Sequence, residues 1–170
     1  MGRLQGLPHR IERVGEVEGV VFYNDSKATN PDSLAVALMS FPDPVILIAG
    51  GLSKDGEYGT LSPLIRKHTA AIVLMGKAAP VLEAAWRETG VPLVLAGSDL
   101  EAAVRAARRT SNALRPSRVN GCFNIAIMSA GAKSLAMAEM TRSRNVPGSV
   151  LAKGRPAESS TRMPQASSRT

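Results

Sequence analysis

Val20-Val21-Phe22-Tyr23-Asn24-Asp25-Ser26-Lys27-Ala28-Thr29-Asn30-Pro31 runs from four apolar residues through a polar turn to a proline. The apolar run reads as the end of a strand. Asp25, Ser26, Thr29 and Asn30 are all good helix N-caps, and Pro31 suits a first helical position. A strand that passes through a polar turn into a helix N-terminus is the corner where open α/β folds hold phosphates and carboxylates. Lys27 adds a mobile cation there. The stretch therefore points to an α/β fold and marks the first candidate site.

The neighbouring sequence has the same grammar. Ile11 to Val17 and Gly19 to Tyr23 read as two short strands joined at Glu18-Gly19, a hairpin signal. Leu34, Ala37, Leu38 and Phe41 fall at helical spacing and predict a helix from Pro31 to Phe41. Pro44-Val45-Ile46-Leu47-Ile48-Ala49, ending in Gly50-Gly51, suits a strand buried on both faces of a parallel sheet. A loop from Leu52 to Gly59 leads to a helix from about Leu61 to His68. A second buried strand, Ala70 to Met75, closes at Gly76-Lys77. Pro80 to Thr89 is helical in pattern, Val91 to Ala96 is the next strand, and Asp99 caps a helix reaching about Thr110. This alternation predicts a three-layer, Rossmann-like α/β domain with a mostly parallel sheet.

Beyond about Ser111 the pattern weakens. Phe123 to Met128 still reads as a strand and Ser134 to Met140 as a helical turn or more. From Thr141 the chain is rich in Ser, Arg and Pro and too poor in apolar residues to offset chain entropy. The expected organisation is a domain over residues 1–140 and a disordered basic tail over 141–170.

Composition narrows the function classes. At 170 residues the chain can bury a sizeable core, and no apolar run approaches the roughly 20 residues of a bilayer span. The N-terminus lacks the apolar core of a secretory signal. A lone cysteine, Cys122, leaves no internal disulfide and fits a reducing cytoplasm. With only His9 and His68 as histidines, no metal-ligand spacing occurs. The net charge of +7 is uneven: residues 1–100 carry 9 Lys/Arg against 11 Asp/Glu, and residues 101–170 carry 12 against 3. Such a basic end either is simply solvated or binds nucleic acid nonspecifically.

Three segments, in order and spacing, resemble one family. They are Gly6-Leu7-Pro8-His9-Arg10, Asn24 to Asn30, and Gly50-Gly51 with Lys54 followed by Leu61-Ser62-Pro63-Leu64. Together they resemble the C-terminal domain of the Mur ligases over roughly residues 6–110. The form Ser26-Lys27-Ala28-Thr29-Asn30 is similar to the D-glutamate-adding type.

The resemblance implies a cytoplasmic, ATP- and Mg²⁺-dependent step of bacterial peptidoglycan synthesis. In that step D-glutamate attacks an acyl phosphate of UDP-N-acetylmuramoyl-L-alanine. It assigns Arg10 to the nucleotide phosphates, Asp25 to the ribose hydroxyls and Lys27 to the phosphate side of the junction. Thr29 and Lys54 would hold the D-glutamate carboxylates, and Ser134, in a looser echo of the family's ending, the position of a further glutamate-binding serine. The residue types suit these tasks: guanidinium matches phosphate oxygens as a fork, whereas ammonium acts as a steerable point charge.

Blander readings stand beside these. Arg10 has Glu12 and Glu16 as nearby ion-pair partners, Asp25 and Asn30 are natural turn and cap residues, and a lysine such as Lys54 in a polar loop is often only solvated. His9 and His68 carry no catalytic signature.

The sequence holds no Walker-type Gly-Lys-Thr/Ser, so the family's UDP-binding and ATP-binding domains are expected on other polypeptide. Catalysis by this chain alone, and Mg²⁺ binding by it alone, are therefore not expected. Three roles remain: part of a ligase completed by separately encoded N-terminal and central domains, a non-catalytic nucleotide or D-glutamate module, or an inactive relic. The ending also reads as translation out of an ancestral frame. Loss of the family's last strand and helix is expected to expose a sheet edge.

Overall fold

A computed structural model describes residues 8–51, 56–114 and, as a strand, 123–130. The chain opens with a hairpin, β1 (Glu12–Val17) and β2 (Val20–Asn24), paired antiparallel. Glu18 and Gly19 both take positive φ, 52° and 76°, the twist a two-residue hairpin turn requires. Then follow α1 (Pro31–Met39), β3 (Val45–Gly51), a 3-10 turn (Tyr58–Leu61), α2 (Ser62–His68) and β4 (Thr69–Gly76). The chain continues through α3 (Ala79–Trp86), β5 (Leu93–Leu95), α4 (Leu100–Leu114) and β6 (Phe123–Ala130).

The six strands form one sheet in the order β1-β2-β6-β3-β4-β5, parallel from β2 onward. Both faces are covered, so the strands are apolar at odd and even positions alike. Val45, Leu47, Ala49, Ile72 and Leu74 pack under Leu34, Leu38, Ile65, Leu82 and Trp86 of α1, α2 and α3. Ile46, Ile48, Ala71, Val73 and Met75 face the opposite way, against Ala103, Ala106 and Ala107 of α4, together with Val20 and Phe22. Three layers result, as the alternation predicts. Among the described residues no helix is long and apolar enough to cross a membrane.

Differences from the sequence reading lie at element ends and have local causes. Helix α1 stops at Met39 rather than Phe41, because Pro42 disfavours helical backbone at the residue before it. Phe41 is still buried, edge-on to Tyr23 with ring centroids 4.9 Å apart. After Trp86 the α3 segment tightens into a 3-10 turn, closed by Thr89 Oγ1 donating to the Trp86 carbonyl. Asp99 caps α4 as expected, its carboxylate accepting from the N–H groups of Glu101 and Ala102. The helix then runs four residues past Thr110. Thr110 and Ser111 return their hydroxyls to carbonyls of the same helix, so polar residues there do not end it.

The strand expected at Phe123 to Met128 forms as β6 and runs two residues further, to Ala130. It lies within the weakened region of the sequence, yet it is an interior strand, pairing with β2 on one side and β3 on the other. The helical reading of Ser134 to Met140 and the 141–170 tail lie outside the described residues.

Registers step the carboxyl edge of the sheet. Asn24, Ile127 and Ile48 share one row; beyond it β3 continues through Ala49, Gly50 and Gly51 with β6 paired alongside through Ala130. Three further residues extend both strands by about 10 Å past the end of β2, and the β2–α1 turn folds at that step. A Cβ on Gly50 would stand 2.0 Å from the Met75 carbonyl oxygen, a backbone atom with little room to move. Gly50→Ala is expected to destabilise the domain by at least about 1–3 kcal/mol through overpacking. Urea unfolding monitored by circular dichroism measures this, and an unchanged midpoint would contradict the packing at that rung.

Candidate functional site

Asn24, the last residue of β2, is only 5% exposed and organises the first half of the site. Its Oδ1 accepts from the Ser26 N–H at 3.1 Å, which turns the chain off the strand. Because a backbone N–H must meet an oxygen, the amide orientation is fixed and Nδ2 points the other way. That nitrogen meets His9 Nδ1 at 2.8 Å, so Nδ1 is the acceptor and the imidazole proton resides on Nε2. The His9 carbonyl accepts from the Lys27 N–H at 3.2 Å, and the Ile11 N–H donates to the Asp25 carboxylate. The segment before β1 is thus stitched to the β2–α1 turn.

The same segment is strained. His9 and Ile11 have φ of 63° and 46°, values that side chains, and β-branched ones above all, rarely adopt. The cross-links to Asn24, Asp25 and Lys27, with the His9 N–H donating to Glu12 at 2.8 Å, hold it there. Arg10 lies between the two strained residues, exposed, with its charge acting on buried Asp25. Its suggested surface partners are otherwise engaged: Glu12 takes the His9 N–H, and Glu16 pairs with Arg13 at 2.7 Å.

The second half is a small open cleft at the carboxyl end of β3. Ala28, Thr29 and Asn30 form one lip and Ala49-Gly50 the rim of the sheet. Tyr58, Leu82 and Trp86 line the floor with Leu34 and Ala78. Asn30 is also the α1 N-cap, accepting from the Ser33 N–H at 2.8 Å, so that blander reading of Asn30 holds. Trp86 is fully buried, donates Nε1–H to the Tyr58 carbonyl at 2.9 Å and meets the Tyr58 ring edge-on. The floor is therefore rigid and apolar, while the hydroxyl of Thr29 and the backbone beside it supply polarity at the lip.

The structure brings Arg10, Asp25 and Lys27 together at the carboxyl edge and sets Thr29 at the adjoining cleft. Lys54 and Ser134 lie outside the described residues. Four contributors carry no reading of their own in the sequence: His9 and Asn24, which join two distant segments, and Tyr58 and Trp86. The last two had a faint signal, since the chain has a single tryptophan and aromatic residues make up only 4% of it.

Comparisons with known proteins bear on the family and the fold. A family model described as "Mur ligase, glutamate ligase domain" matches residues 9–115. The UDP-N-acetylmuramoylalanine–D-glutamate ligase of Nitratidesulfovibrio vulgaris is 46% identical over 101 residues, 59% of this chain and 23% of the relative. That of Gloeobacter violaceus is 48% identical over 99 residues, 58% of this chain and 22% of the relative. The chain thus spans less than a quarter of the length of these relatives. Among solved structures, Mycobacterium tuberculosis folylpolyglutamate synthase complexed with ADP and AMPPCP superposes with a TM-score of 0.57 at 18% identity. That match covers 75% of this chain and 30% of the other. The Thermotoga maritima UDP-N-acetylmuramate-alanine ligase gives 0.50 at 10% identity, covering 82% and 30%. At these identities the likeness is one of fold.

Asp25 is 5% exposed, and burial raises its pKa above the ordinary 3.8, although the Ile11 N–H and the Arg10 charge both act to lower it. A carboxylate whose folded pKa is raised favours the folded state when protonated; that benefit is lost as pH rises through the folded value. The ionised group therefore costs stability at neutral pH. Asp25→Asn is expected to be more stable than the parent at pH 7, with the gap closing as pH falls below the ordinary carboxylate range. Thermal unfolding from pH 3.5 to 7.5 would reveal this, and a gap that widened toward acid would refute the assigned direction.

Proposed function

The chain belongs to the Mur ligase family, as its glutamate ligase domain over residues 9–115, and on that premise we propose a role in ligation. The chain is the C-terminal, amino-acid- and nucleotide-contacting domain of an ATP-dependent ligase that adds D-glutamate to UDP-N-acetylmuramoyl-L-alanine in peptidoglycan synthesis. The observation that carries this reading is the joining of Arg10, Asp25 and Lys27 in one corner, directly beside a cleft whose lip holds Thr29.

The corner fits a nucleotide. Arg10 and Lys27 are exposed cations suited to phosphate oxygens, and Asp25 is a buried acceptor suited to ribose hydroxyls. Bound ATP would supply the phosphoryl group that activates the substrate carboxylate. This chain's residues would orient: Arg10 and Lys27 fix the phosphate end, while Thr29 and Lys54 hold the carboxylates of D-glutamate. Two anchored carboxylates leave the amine little freedom, and such orientation lowers a barrier without any proton transfer by the protein. Among the described residues no three His, Cys, Asp or Glu side chains stand together to hold a metal ion. The proposal leaves Mg²⁺ to the central ATP-binding domain of the family and expects no activity from this domain without it.

Two assays test the reading. The full chain, given ATP, UDP-N-acetylmuramoyl-L-alanine and D-glutamate, is expected to release no phosphate above a no-enzyme control. Turnover abolished by Lys54→Ala would overturn that. Substituted for the matching domain of the Nitratidesulfovibrio vulgaris ligase, the chain is expected to support D-glutamate ligation. Arg10→Ala in that chimera should lower kcat/KM about 10- to 100-fold, the value of a charge-assisted contact. A chimera that binds the UDP substrate but never ligates D-glutamate would sink the proposal.

A further inference from the structure

We propose that His9 and Asn24 form a proton-sensitive latch that positions Arg10 and Asp25, an inference resting on the nucleotide-corner reading above. The geometry leaves one protonation state for the closed latch. Asn24 Oδ1 is committed to the Ser26 N–H, so Nδ2 is a donor, and His9 Nδ1 can receive it only while unprotonated. A proton on Nδ1 sets two donors against each other at 2.8 Å. The ring then has an alternative: Glu12 Oε2 lies 3.7 Å from Nδ1 and attracts an imidazolium.

Opening the latch has consequences on both sides. Buried Asn24 loses the partner of its Nδ2 group. The segment from His9 to Ile11, held at φ of 63° and 46° by its cross-links, loses one of them. Arg10 lies within that segment, and the Ile11 N–H is the donor to the Asp25 carboxylate. His9 and Asn24 thus act through Arg10 and Asp25 as positioning residues, with no contact to the nucleotide themselves. The other charged groups of the corner are Glu12 on β1, Arg10 next in the chain, and Asp25 and Lys27 on the β2–α1 turn. A second proton on the His9 ring therefore opens the latch, and nucleotide capture by the corner is weaker in that state.

The test measures ADP affinity of the full chain by calorimetry from pH 5.5 to 8, with His9→Ala and His9→Asn alongside. Asparagine can present a neutral acceptor near the place of Nδ1 but does not titrate. The parent should gain affinity with pH. His9→Ala should bind about tenfold more weakly at pH 7.5, and His9→Asn should restore binding while flattening the pH profile. ADP binding by the parent with the same pH profile in all three proteins would overturn the latch and leave the nucleotide reading intact.

If the parent does not bind ADP, the nucleotide reading fails, and nuclear magnetic resonance of the unliganded chain decides the latch. A proton on Nε2, with the Ile11 amide signal following the His9 titration in the parent but static in His9→Asn, supports it. A proton on Nδ1 at neutral pH, or an Ile11 signal indifferent to His9, overturns it.

Discussion

The insertion of β6 between β2 and β3 is the constraint on which the site depends. Adjacent strands lie about 4.8 Å apart, so one intervening strand holds β2 and β3 roughly 10 Å from each other. β6 and β3 run on together three residues beyond the row of Asn24, and the β2–α1 turn shares an open cleft with Ala49 and Gly50. The floor is supplied by α3 and the 3-10 turn, through Trp86 and Tyr58. Fold and site thus share one cause, the winding that carries α4 back across the opposite face to place the last described strand inside the sheet.

Much of this was legible from periodicity. Uninterrupted apolar runs at Val45 to Ala49 and Ala70 to Met75 announce strands covered on both faces, and the two core clusters divide along their odd and even positions. The turn from Asn24 to Pro31 declared itself by residue type, since caps, a proline and a cation have few other uses together. What could not be read was strand order. No local pattern states that Phe123 to Ala130 sits between β2 and β3. The His9–Asn24 contact was hidden for a related reason, because it joins residues fifteen positions apart whose spacing has no periodic signature. Helix ends were misjudged where hydroxyls turned inward at Thr110 and Ser111, or where Pro42 acted on its predecessor.

The corner is built against stability. Two residues with left-handed backbone flank an arginine, and a carboxylate is buried despite the cost of its charge. Interior positions elsewhere follow the usual economy: Ile46, Leu47, Ile48, Ile72 and Leu74 are fully buried and apolar. Strain and buried charge concentrated at one sheet edge mark the part of a fold retained for what it binds.

The sheet order also governs how the chain is put together as it is made. Of the described strands, those of the β1–β2 hairpin emerge first, and its turn closes locally. Its place in the sheet, however, waits for a strand about a hundred residues later, since Val20 pairs with Phe123 and Asn24 with Ile127. Contacts of such separation are slow, because loop closure precedes any reward. During synthesis β3, β4 and β5, with their helices, can assemble in sequence, while β2 keeps an unsatisfied edge until β6 arrives. The corner at the β2–α1 turn would therefore be among the last parts of the domain to mature on the ribosome, completed only when the final described strand slides into the gap kept for it.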